Sequence, residues 1–440
     1  MQDVPVEAGT TESFREVLSA EDTERTHAQL ARAQTVLDGR TIWHVNSTAN
    51  GGGVAELLRS LLPYARGAGI DARWLVIGAS DGFLEITKRI HHRLHERPGD
   101  GGALGDDERR VYERELDADR SELSQRIAPG DVVVLHDPQT AGLAPMLRQL
   151  GARVIWRCHI GVDAAGPCAH EAWAFLEDDV REAEVCVFSR AAYAWDTLDP
   201  ARVVVIPPCI DVLSPKNRDL AATESQALLA SSAAQLPIDE PFVLQVSRWD
   251  PLKDHEGVLR AFVELCRSDG TDSHLVLAGP ETDGVDDDPE GEATLEHVQQ
   301  LWAEQSPAMR ERIHLASLSM DDAEENALVV NALQRRAQVV VQKSLAEGFG
   351  LTVAEAMWKE RPVVASRVGG IQDQIVHGES GLLVDDPTDT GALAHDLALL
   401  LERADYREQL GAAARQRVSD HFLPVHHFER EAALLERVLR

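Results

Sequence analysis

Apolar runs of a few residues alternate with amphipathic stretches along most of the chain, and that alternation sets the expected fold. The run "TIWHVN" (41–46) reads as a strand. It leads into "VAELLRSLLPYARGAG", where Val54, Leu57, Leu58, Leu61, Leu62 and Ala65 recur at helical spacing before a glycine stop. "ARWLVIG" is the next strand, and the charged segment 83–128 reads as mostly helical. Then come "DVVVLHD", "RVIWRCH", "EVCVFS" and "RVVVIPP", continuous apolar runs typical of strands buried on both faces of a parallel sheet. A second series starts at "FVLQVS" (242–247) and continues through "HLVLAG", "RIHLAS", "QVVVQK", "PVVAS" and "GLLVDD", with helical segments between. The expected fold is α/β, with two doubly wound Rossmann-like domains facing across a cleft. Ligands in such sheets bind at the C-terminal ends of the strands.

Composition shifts suggest the boundaries. Residues 1–40 read as a partly helical N-terminal leader, 41–212 as a first domain, 213–240 as a proline-containing connection and 241–420 as a second domain. The last segment, 421–440, reads as a helix placed to cross back onto the first domain.

Charge narrows the function classes. The formal net charge of −31 disfavours nucleic acid, which needs Lys and Arg to neutralise phosphates, and disfavours an anionic membrane surface. It also means that an anionic ligand must be caught by a few well-placed cations and helix N-termini. The lysines are just 88, 216, 253, 343 and 359, so each is informative. The cysteines (158, 168, 186, 209, 266) show neither CxxC nor metal-ligand spacing, which points to reduced thiols and a cytoplasmic location. No signal peptide or apolar run of about 18 residues is visible.

Three stretches carry chemistry. "VNSTANGGGVAE" follows a strand and opens a helix, and Gly51, Gly52 and Gly53 allow close backbone approach to a phosphate or sugar. A flexible strand-to-helix turn is the other reading, and the spacing fits neither GxGxxG nor a P-loop. In "SRWDPLKD", Arg248 and Lys253 lie just past a strand, where they suit a diphosphate or, alternatively, ion pairs with Asp250 and Asp254. In "KSLAEGFGLTVAEAMWK", Glu347 precedes a helix expected to start near Leu351 or Thr352, with Glu355 in its first turn. Between them lie amides of the helix start, which lack intrahelical partners. Carboxylates for hydroxyls beside amides and cations for phosphates would suit a sugar nucleotide. The acidic run 286–292 reads as a solvated loop and is assigned no metal.

Taken together, these motifs resemble the retaining glycosyltransferases of family GT4, which have the GT-B fold. The E-x7-E signature of that family is met by Glu347 and Glu355, and the pattern continues through "PVVASRVGGIQDQIVHGESGLLVDD". "HVNSTANGGGVAELLRSLLP", "VLHDPQ", "WRCHI" and "VIPPCIDVLSPKN" narrow the resemblance to the trehalose-forming members. The resemblance implies reversible transfer of glucose, with retention, from a nucleoside diphosphate-glucose to free glucose. No cofactor is required, and stimulation by Mg2+ is left open. By the same resemblance, Arg248 and Lys253 would bind the donor diphosphate, and Glu347 the donor-sugar hydroxyls. His159 would lie under that sugar. Gly348, Phe349, Gly350, Leu351 and Thr352 would offer backbone contacts, Glu355 would take the ribose, and Gly51 to Gly53 would close over the diphosphate. Asn46, Asp137 and Gln139 would face the acceptor. Expected partners are small molecules only (nucleoside diphosphate-glucose, glucose, trehalose), with a homodimer left open. Trehalose phosphorolysis, transfer to another small acceptor, and a silent nucleotide-sugar sensor are the alternatives. One departure stands out: after "RCHI" the family pattern has Asp, whereas this chain has Gly161, with Asp163 two residues on.

Overall fold

The computed structural model describes residues 1–50, 52–232, 236, 239–268, 271–282 and 289–440. The chain forms two compact units, Met1–Asp211 with Leu423–Arg440, and Val212–Phe422.

The first unit carries strands β1 (Gln2–Val4), β2 (Ile42–Asn46), β3 (Ala72–Val76), β4 (Val132–His136), β5 (Arg153–Cys158), β6 (Val185–Phe188) and β7 (Val203–Val205). Their order in the sheet is β1-β3-β2-β4-β5-β6-β7, parallel except for β1. The two faces differ. Trp43, Val45, Val133, Leu135, Val154 and Trp156 form one core with Phe83, Ile90, Leu116, Leu123 and Leu176 of the helices Asp81–Leu94, Asp106–Arg126 and Pro167–Val180. The alternate positions His44, His136 and Arg157 are also buried, so the opposite face holds polar groups.

Residues 1–40, expected as a leader, belong to the first compact unit. They supply β1 and the helix Ala20–Leu37, whose Leu30, Ala33 and Leu37 are buried and which packs along the helix Pro424–Leu439. Arg32 Nε donates to Glu436 Oε1 across that contact at 2.6 Å. The last helix buries Phe428, Leu434, Leu435 and Val438, each such side chain contributing roughly 1.5–3 kcal/mol.

The second unit carries β8 (Phe242–Val246), β9 (His274–Pro280), β10 (Ile313–Leu318), β11 (Val339–Gln342), β12 (Val363–Ser366) and β13 (Leu382–Val384), all parallel in the order β10-β9-β8-β11-β12-β13. The start of the segment expected as a connection is fastened to this unit. Asn331 Nδ2 donates to the carbonyls of Pro215 and Arg218 at 2.9 and 2.8 Å. Of the acidic run, 286–288 lies outside the described residues, and 289–292 opens the helix Pro289–Ala303 instead of continuing a loop. Among the parallel strands of each sheet the order reverses once, between β2 and β4 and between β8 and β11. Those switch points are where open α/β sheets form ligand crevices.

Candidate active site

At the β8/β11 switch point the second unit gathers its cations and carboxylates. Lys253 Nζ lies 2.5 Å from Glu347 Oε2, which also accepts from Ser344 Oγ at 3.3 Å. Arg248 Nη2 lies 2.9 Å from Asp250 Oδ2 and is more than half exposed. Buried Gln245 of β8 ties this loop to β11: its Nε2 donates to the Lys253 carbonyl (2.8 Å), and its Oε1 accepts from the Lys343 amide (3.4 Å). Asp250 caps the turn by accepting from the Leu252 amide at 2.8 Å. Lys253 and Arg248 are thus each placed beside an acid. Lys343 and Lys359 have a different role. Lys343 is buried against Asp254 and the Pro387 carbonyl, and Lys359 against Asn217, Gln334 and the Glu355 carbonyl.

Gly350, at φ 84°, lets the chain turn into the helix Leu351–Trp358. Glu355 is therefore its fifth residue, not in its first turn. It is buried, with Oε1 3.7 Å from Lys216 Nζ. The glycine loop is locked from behind. Gly370 N donates to the Gly348 carbonyl at 3.2 Å, and Gln374 Nε2 to that of Phe349 at 2.5 Å. A Cβ on Gly370 would lie 2.6 Å from Phe349 Cα, so no side chain fits there. Gly370, Gln374 and Gln245 hold the site residues in place.

At the β2/β4 switch point of the first unit, Asp137 follows His136 with φ 62°, a left-handed conformation costly for a non-glycine residue. Its Oδ1 accepts from the His159 amide at 2.7 Å, and its carbonyl from Trp156 Nε1 at 3.1 Å. Burial pushes its carboxyl up to about 7, against the lowering effect of that amide and of Arg157. Gln139 is half-buried, and its Oε1 has no hydrogen-bond partner among the described residues. Asn46 Oδ1 accepts from Trp74 Nε1 and Asn46 Nδ2 donates to the Thr48 carbonyl, both at 2.7 Å, so its amide holds the loop. Gly52, at φ 76° with open space around it, and Gly53 begin the helix Gly52–Gly67, while Gly51 lies outside the described residues. His159 joins His136 and His44 in a row of imidazoles. Among the described residues no three His, Cys, Asp or Glu side chains are placed to hold a metal, and no helix is long and apolar enough to cross a membrane.

The departure at Gly161 has a steric cause. A Cβ there would lie 2.3 Å from Tyr193 Cγ, and Asp163 is engaged with Arg190. Gly161→Asp is expected to lower Tm by about 5–10 °C, because it overpacks Tyr193 and buries a carboxylate. Thermal unfolding checks this, and an unchanged Tm would contradict it.

Residues 44–195 match the family model for "Trehalose synthase, N-terminal domain", and 230–417 that for "Glycosyl transferases group 1". An alpha,alpha-trehalose-phosphate synthase (UDP-forming) from Burkholderia vietnamiensis is similar in structure, with a TM-score of 0.69 over 90% of this chain and 99% of that one at 16% identity. The two Rossmann-like units are those of a GT-B glycosyltransferase. In sequence, the trehalose synthase of Thermococcus litoralis is 36% identical over 96% of each chain. A trehalose phosphorylase of Pleurotus pulmonarius is 28% identical over 85% of this chain and 54% of its own. This chain belongs to the trehalose synthase family.

Proposed function

We propose that the protein transfers glucose reversibly, with retention, from a nucleoside diphosphate-glucose to free glucose, forming trehalose. The observation that carries this reading is the Lys253–Glu347 pair at the second sheet's switch point, with Oε2 and Nζ 2.5 Å apart. A cation and a carboxylate in contact match a ligand whose phosphate and hydroxyls are close together. Lys253 and Arg248 stabilise charge on the departing diphosphate, and Glu347 accepts hydrogen bonds from the sugar. A phosphate oxygen of the leaving group takes the acceptor proton on the face of attack, so no side chain is needed as base. Asp137 and Gln139 offer oxygen acceptors to the glucose hydroxyls. Family membership supports the reaction class.

The test supplies UDP-, ADP- or GDP-glucose with glucose and resolves products by NMR. α,α-Trehalose and the free diphosphate are expected with at least one donor; hydrolysis alone would refute the proposal. The likeness to a phosphorylase favours a second reading, since the same cations suit inorganic phosphate. Release of glucose 1-phosphate from trehalose and phosphate, without nucleotide, would replace the first reading with the second.

A further inference from the structure

Three imidazoles cross the first sheet in a row. His44 Nδ1 lies 3.1 Å from His136 Nε2, and His136 Nδ1 lies 3.3 Å from His159 Nε2. The rings stack at 5.4 and 5.5 Å with interplanar angles of 26° and 14°. Strand register produces the row. His44 pairs with Val134 and His136 with Arg157, so each histidine lies two residues beyond the cross-strand partner of the one before. The row therefore climbs toward the C-terminal ends of the strands.

Burial lowers the basicity of all three rings, so they stand neutral. Each contact then needs one N–H and one bare nitrogen. Only two proton orders satisfy both contacts: every ring protonated at Nε2, or every ring at Nδ1. The first leaves a bare Nδ1 on His159 and an N–H on His44 Nε2; the second reverses both ends.

The buried end can choose between them. His44 shares a cavity of about 40 Å³, room for roughly one water, with Arg157 and Glu431. Burial alone would raise the Glu431 carboxyl, but His427 and then Arg157 outweigh it and hold it at about 2. His427 Nε2 lies 2.9 Å from Glu431 Oε1, and Arg157 Nη1 lies 3.3 Å from the same oxygen. The guanidinium is thus turned to Glu431 and to the Ile206 carbonyl, and of the charged groups acting on His44 the carboxylate is the strongest, opposed by Arg157 and His427.

We propose that Glu431 orders the chain with all three protons on Nε2, so that His159 presents a bare Nδ1 as hydrogen-bond acceptor to a ligand hydroxyl. His44 and His136 are positioning residues in this arrangement. That the ligand is a sugar rests on the proposed function; the proton order does not.

Nitrogen-15 NMR of the full chain, labelled at histidine and assigned by single substitutions, reads the tautomers directly. All three rings are expected as Nε2–H. In Glu431→Gln the three should shift together toward Nδ1–H, while kcat for transfer falls about tenfold and the donor KM holds. Should that variant not fold, His136→Phe serves: His159 loses its single tautomer, and His44 keeps Nε2–H. An Nδ1–H ring in the wild type, or a His159 tautomer unmoved in a folded variant, would overturn the proposal. Because tautomers are read without turnover, failure of trehalose synthesis is a separate result.

Discussion

Lys253→Ala is expected to lower transfer by about 10²- to 10³-fold, the usual cost of removing one preorganised charge from a developing anion. It should also destabilise the second unit by about 1–3 kcal/mol, because Glu347, only 12% exposed, loses the ammonium 2.5 Å away. Arg248→Ala should match the catalytic loss without the stability loss, since that side chain is 58% exposed and its acid partner Asp250 also caps the local turn. The contrast separates a charge aimed at ligand from one needed for folding. Lys253→Ala combined with Glu347→Gln should recover stability and leave transfer low, a pattern readable by denaturant melts and product assays. Near-normal turnover in either lysine or arginine variant would sink the role assigned to the cations.

Strands β2 to β13 were legible because each is a short apolar run closed by polar or glycine residues. The Glu347/Glu355 spacing and the "SRWDPLKD" turn were legible as chemistry. What the chain order cannot display is cross-strand adjacency. His44, His136 and His159 lie far apart in sequence; His44 and His136 each read alone as a polar residue within an apolar strand, and His159 is reached only through the resemblance. They become a unit only when β2, β4 and β5 are placed side by side in register. The packing of the helix Ala20–Leu37 was hidden for a related reason: its apolar positions are diluted by charged residues, and its packing surface is supplied by the last helix of the chain. β1 is three residues long and has no alternation to read. Gln245 and Gln374 carry no motif, and their value lies wholly in the carbonyls they meet.

Asp137 gives the second large effect and a distinct pH signature. Its carboxyl is held at about 7 by burial, whereas burial lowers His44 to about 4 and depresses His136 and His159 well below the ordinary imidazole range. A rise in kcat/KM for the acceptor with an apparent pKa near 7 would then report the carboxylate and not an imidazole. Asp137→Asn should abolish that rise and cost about 10- to 100-fold in transfer at high pH, the worth of a hydrogen bond to a charged acceptor. Stability should move the other way. A carboxyl whose folded pKa exceeds its unfolded value binds more protons folded than unfolded, so its ionisation erodes stability as pH climbs from about 4 to about 7. Asn removes that penalty and tolerates the left-handed backbone at φ 62°. Asp137→Asn is therefore expected to melt at higher temperature than the wild type above pH 7, and at a similar temperature near pH 4. A residue that weakens the fold at the working pH, in a strained conformation at a switch point, is what a carboxylate used on a ligand is expected to look like. Equal melting curves at both pH values, or an unchanged acceptor pH profile, would remove Asp137 from the site.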